Sequence, residues 1–164
     1  MSEGFVLTSQ ESELLARAML LAGGAVAIAK YSGTRGTTQE FNAIIDEMTV
    51  IRSEQSDNPV FANLPLDLMA AEAAGMGREF QVDPRQTIFQ EYKMSALNRV
   101  SQASQLLDEK ATPEQAAAYR QAVLRICQRV ARESKEGGLI GFGGAAVDAR
   151  ETGVIGEISR VLGL

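Results

Sequence analysis

The sequence predicts an all-α fold: one domain built as a bundle of about six or seven helices. Three observations carry this. Helix-capping and proline signals recur along the chain, apolar residues between them repeat every three or four positions, and the period-two alternation of strands is almost absent. Only Leu139-Ile140 and Ala145-Ala146-Val147 have an extended character, and both fall in a glycine-rich stretch between helical segments. With 164 residues, 45% of them hydrophobic and 23% charged, the chain is of single-domain size and can bury a core without disulfide or metal staples.

Each element follows from local chemistry. Thr8-Ser9-Gln10-Glu11 is a capping box, in which a hydroxyl caps a helix amide and the Glu reaches back, with Val6 or Leu7 as the staple. It opens a helix from Ser9 to about Tyr31. Ser32-Gly33-Thr34-Arg35-Gly36 is expected to break that helix, and Thr37-Thr38-Gln39-Glu40 forms a second box that starts a helix through about Ser53. Its stripe is Phe41, Ile44, Ile45, Met48 and Ile51. Asn58-Pro59 pairs an N-cap with proline at the first helical position, announcing a short turn over 59–64. Pro65 either separates that turn from a helix over Leu66 to about Arg78 or kinks one continuous helix. Asp83-Pro84 repeats the cap-then-proline signal before a long helix to about Lys110, with the stripe Ile88, Tyr92, Ala96, Val100, Ala103 and Leu107. Thr112-Pro113-Glu114-Gln115 starts a helix to about Glu136, and Asp148-Ala149-Arg150-Glu151 caps a last one ending near Gly163.

The two ends of the chain echo each other. With Thr8 placed over Thr112, an offset of 104 residues, Glu11 falls on Gln115, Leu15 on Tyr119, Ala18 on Ala122, Val26 on Val130 and Gly33 on Gly137. The next caps, Thr37 and Asp148, are 111 apart, so the second loop is longer by 7 residues, and beyond it Glu40 matches Glu151 and Ile44 matches Ile155. Amphipathic helices align by periodicity alone; the joint repetition of helix, glycine loop and acidic cap argues for a duplication. The halves are 8–53 and 112–164, joined by the helices of 59–110, and they are expected to pack about a pseudo-two-fold axis. Gly23-Gly24, over Cys127-Gln128, suits close helix approach near that axis.

This pattern of helix, glycine loop, cap, Glu and amphipathic helix, ending Glu157-Ile158-Ser159-Arg160-Val161-Leu162-Gly163-Leu164, resembles the TerB-like family of tellurite resistance proteins. The likeness is carried mainly by 112–164, with an echo in 8–53. It implies an all-helical fold with internal pseudo-symmetry and a cytoplasmic role in tellurite and other stress responses. The family typically has an Asp-Gly pair after the helix, with acidic residues contributing to a metal site. Here Tyr31-Ser32-Gly33 and Lys135-Glu136-Gly137-Gly138 stand in that place, so the Asp is missing from both halves.

Composition removes much familiar chemistry. There is no His, no Trp and one Cys, so neither a Ser-His-Asp or Cys-His nucleophile nor a His-containing or Cys-rich zinc site can be assembled. Sixteen basic against twenty-one acidic residues give a net charge of −5 with no basic run, which argues against nucleic-acid binding. The N-terminus lacks the basic-then-apolar layout of a secretory signal. The apolar run from Leu14 to Ala29 contains Arg17 and falls short of the roughly 20 residues of a membrane span, so it reads as a buried core helix in a cytoplasmic protein. Cys127 reads as core filler.

Two sets of residues remain as candidate sites. Glu40, Asp46, Glu47, Glu136, Asp148 and Glu151 are the oxygen donors near the repeated loops, suited to a divalent cation, which takes several oxygens at once. Glu40, Glu151 and Asp148 also have capping roles that would account for them. The glycine-rich loop over 137–144 has no preceding strand and no Gly-Lys-Ser/Thr ending, which disfavours phosphate binding. Its Leu139, Ile140 and Phe142 are instead expected to fold over the core or meet a partner. The reading favoured is a non-enzymatic module acting through protein contacts, self-association as a homodimer included, with a divalent-cation-binding protein as the alternative.

Overall fold

The computed structural model describes residues 5–29, 33–79, 86–136 and 149–164, with side chains described for 5–29, 38–76, 89–133 and 150–164. Among the described residues there are seven helices and no strand: α1 Ser9–Ala29, α2 Gly33–Glu54, α3 Pro59–Ala62, α4 Leu66–Glu79, α5 Gln86–Lys110, α6 Pro113–Glu136 and α7 Ala149–Leu162. The all-α bundle expected from the sequence is the architecture observed. The segments 139–140 and 145–147 and the caps Asp83 and Asp148 lie outside the described residues.

The capping chemistry reads as expected at several ends. At α1 the Glu11 amide donates to Thr8 Oγ1 at 3.1 Å and the Thr8 amide donates back to Glu11 Oε2 at 2.8 Å. Thr112 and Gln115 repeat this at α6, at 3.2 and 3.0 Å. Asn58 Oδ1 accepts from the Val60 amide at 3.1 Å and starts α3 with Pro59 in its first turn. Leu64 and Pro65 are non-helical, so α3 and α4 are separate helices rather than one kinked helix. At the end of α7, Gly163 adopts φ +74, and the Gly163 and Leu164 amides donate to the Arg160 and Ser159 carbonyls, closing the left-handed turn that glycine allows.

One boundary departs from the sequence reading. α2 begins at Gly33, so 33–36 are helical and Thr37-Thr38-Gln39-Glu40 lies inside the helix instead of opening it. Glycine weakens a helix by only about 1 kcal/mol per residue. Two glycines are therefore too small a penalty to stop a helix whose later turns are anchored by Phe41, Ile44, Met48 and Ile51, all buried.

α1 sits at the centre. From Leu15 to Ala29 only Arg17 and Leu21 are not buried, and the helix packs most extensively on α5, then on α6, α2, α7 and α4. Among the described residues it alone is long and apolar enough to cross a membrane by length and composition, more than the run from Leu14 suggested, yet 78% of that window is buried in the bundle. Arg17 is the polar exception: its guanidinium reaches Glu13 on its own helix and Glu72 on α4.

Contacts fix the helix directions. Tyr119 Oη of α6 donates to the Leu15 carbonyl of α1 at 2.7 Å, and a Cβ built on Gly23 would lie 2.9 Å from Ile126. Positions 15 and 23 therefore meet 119 and 126 in the same order, so α1 and α6 run parallel. Leu15 and Tyr119 are also equivalent in the offset of 104. α5 runs antiparallel to α1, since Lys110 pairs with Glu11 at one end and Tyr92 lies against Gly24 at the other. The C-terminal ends of α1 and α6 thus share one end of the bundle, the loop end, where α2 begins.

Gly24 meets the Tyr92 side chain closely, so a larger residue there would have to displace the far end of that ring. A Cβ there would overlap the Tyr92 hydroxyl, which donates to Met76 Sδ at 3.4 Å, whereas a Cβ on Gly75 of α4 would meet nothing within 4 Å. Gly24→Ala is expected to lower stability by about 1–3 kcal/mol through overpacking. Gly75→Ala is expected to raise it by up to about 1 kcal/mol through helix propensity. Urea unfolding of both variants checks the pair, and equal shifts for the two would contradict the close approach at Gly24.

Candidate functional site

The acidic candidates separate into groups once they are placed on helices. Glu40 and Glu151 are each 1% exposed, the two buried carboxylates among the described residues. Glu151 is the third residue of α7, where a capping-box Glu belongs, while Glu40 is the eighth residue of α2 and has no capping position. Glu40 stands towards the start of α2 and Glu151 in the first turn of α7, and neither is isolated from interactions.

Asp46 and Glu47 do not join them. At 1.5 Å per residue they stand about 9–10 Å further along α2 than Glu40. Asp46 is exposed, and Glu47 pairs with Arg125 of α6. Arg125 also pairs with Glu54, one guanidinium clamping two carboxylates on one face of α2, and the hydrogen bond from Arg125 holds the Glu54 carboxyl below its usual range. Glu136 is the last residue of α6, with its side chain outside the described set; Asp148, Leu139, Ile140 and Phe142 lie outside the described residues altogether. Among the described residues no three His, Cys, Asp or Glu side chains come together in a way that could hold a metal.

The buried carboxylates contrast with their counterparts in the other capping boxes. Glu11 and Gln115 occupy the same capping-box position on α1 and α6 and stay partly exposed. Local sequence is therefore not what buries Glu151, and for Glu40 it does not even supply the cap. Removing a carboxylate from water costs several kcal/mol unless it is compensated, and both Glu40 and Glu151 interact with neighbouring groups.

Two grooves open among the described residues. One of about 310 Å³ is lined by Leu7, Ser9, Ser12, Glu13, Asn63 and Pro65. The other, of about 360 Å³, is lined by Thr49, Arg52, Ser53, Ser56 and Ala62. Neither includes Glu40 or Glu151.

The single thiol is inert in this setting. Cys127 on α6 is fully buried, and burial pushes its pKa up to about 12, far from the thiolate range. Burial likewise pushes the Tyr119 phenol up, keeping it a hydrogen-bond donor to Leu15. The interactions that sequence reasoning missed are long-range: Arg125 with Glu47 and Glu54, Arg17 with Glu72, and Tyr92 on Gly24. The seven-residue spacing of Glu47 and Glu54 placed both acids on one helical face, a visible signal, but nothing local pointed to Arg125.

Compared with family models, curated proteins and solved structures, the chain has no match among any of them.

The ion pair at the capped end sets a pH dependence. Lys110 donates to the Glu11 carboxylate, and the Thr8 amide adds a second donor; together they lower the Glu11 pKa. A carboxyl lowered by folding stabilises the native state fully above its unfolded pKa of about 4.3, and that contribution disappears as the pH falls through the folded value. Lys110→Met is therefore expected to flatten the loss of thermal stability between about pH 5 and pH 3, while barely changing the melting temperature near neutral pH because the pair is partly solvated. Melting curves across that range check it; parallel curves for the two proteins would show that the pair contributes nothing.

Proposed function

We propose that this chain is a non-enzymatic, TerB-like helical module of a tellurite or other stress response in the cytoplasm, acting through contacts with other protein chains, a second copy of itself included. The observation that carries this reading is the parallel α1 and α6 pair, joined at equivalent positions by Tyr119 and Leu15. It fits the internal pseudo-symmetry that the resemblance implies, with the junction α1 to α2 as the first of two and α6 to α7 as the second. The second junction contains Leu139, Ile140 and Phe142, apolar residues in a glycine-rich setting, which suits a contact surface better than a reaction site. Absence of His and the buried, protonated Cys127 point the same way.

Light scattering after size exclusion, run beside an affinity pull-down, tests this. The wild-type chain is expected to self-associate or retain a defined partner, and Phe142→Ser to lose that contact without a change in melting temperature. A monomer that retains nothing would overturn the reading.

A second reading, a divalent-cation-binding protein, is favoured by one specific observation: Glu40 and Glu151 are both buried, each towards the start of its helix. A hard cation takes several oxygens, and two carboxylates with backbone carbonyls would supply a share of them. Asp46 and Glu47 drop out as ligands, being distant and, for Glu47, held by Arg125. Calorimetry and melting curves with calcium, magnesium, manganese and zinc check it. The expected outcome is heat of binding and a higher melting temperature at millimolar metal, both lost in the folded Glu40→Gln, Glu151→Gln double variant. No heat and no stabilisation from any of the four would dismiss the cation.

A further inference from the structure

We draw no further inference here: the strongest candidate, the outward face of α4 formed by Leu68, Ala71 and Gly75, is an apolar stripe of small residues, and nothing in the structure shows what covers it.

Discussion

A helix that is apolar on every side must be surrounded, and α1 is such a helix. Its residues from Leu15 to Ala29 leave only Arg17 and Leu21 short of full burial, so no two-helix arrangement could shield it. Water would be in contact with Leu20, Val26 and Ile28 unless neighbours stood on all sides, and each buried aliphatic side chain contributes about 1.5–3 kcal/mol relative to exposure. The bundle is the answer to that requirement. α5 runs antiparallel along one flank, α6 runs parallel on another, and α2, α7 and α4 close the remainder. Even Arg17 conforms, since Glu13 and Glu72 meet its charge at the edge of the bundle.

The same constraint explains why α1 and α6, which share a sequence pattern, differ in polarity. α6 is strongly amphipathic, with Val123, Ile126, Val130 and Ala131 buried and Gln121, Gln128 and Arg132 facing water, whereas its counterpart α1 has almost no wet face. The difference lies in α5, which covers α1 far more extensively than it covers α6. A helix covered on one more side can replace its polar positions with Ala and Gly. Gly24 packs against Tyr92 of α5, while Gly23 packs against Ile126 of α6 and Ile44 of α2. Their equivalents Cys127 and Gln128 face no such crowding at Gln128, which is exposed, while Cys127 is buried as a small apolar group.

Local physics made most of the fold legible. The boxes at Thr8 and Thr112, the Asn58-Pro59 start and the stripes Phe41 to Ile51 and Ala96 to Leu107 are each determined within one or two turns of chain, and each forms as read. The start of α2 was misread for a related reason. Gly33 and Gly36 are weak local stops, and the free energy that overrides them comes from the buried face of α2, which meets α1, α4 and α6 from elsewhere in the chain. The candidate site was less legible still. Asp46 and Glu47 follow Glu40 closely in sequence, but a helix carries them about 10 Å away along its axis, and the partner of Glu47 is 78 residues distant at Arg125. Proximity in sequence grouped acids that the helix separates, and only tertiary packing distinguishes a wet carboxylate from a buried one.

That distinction bears on how the acids are to be understood. A capping-box Glu needs only to reach back to an amide, and Glu11 and Gln115 do this from partly exposed positions, so capping does not require burial. Glu151 has the capping position and is buried anyway; Glu40 is buried with no cap to serve, because α2 extends a further seven residues toward its start. A carboxylate out of water is held by what surrounds it, and both Glu40 and Glu151 interact with neighbouring groups. Burial of Glu40 and Glu151, against the partial exposure of Glu11 and Gln115, is therefore a product of tertiary packing rather than of the capping sequence.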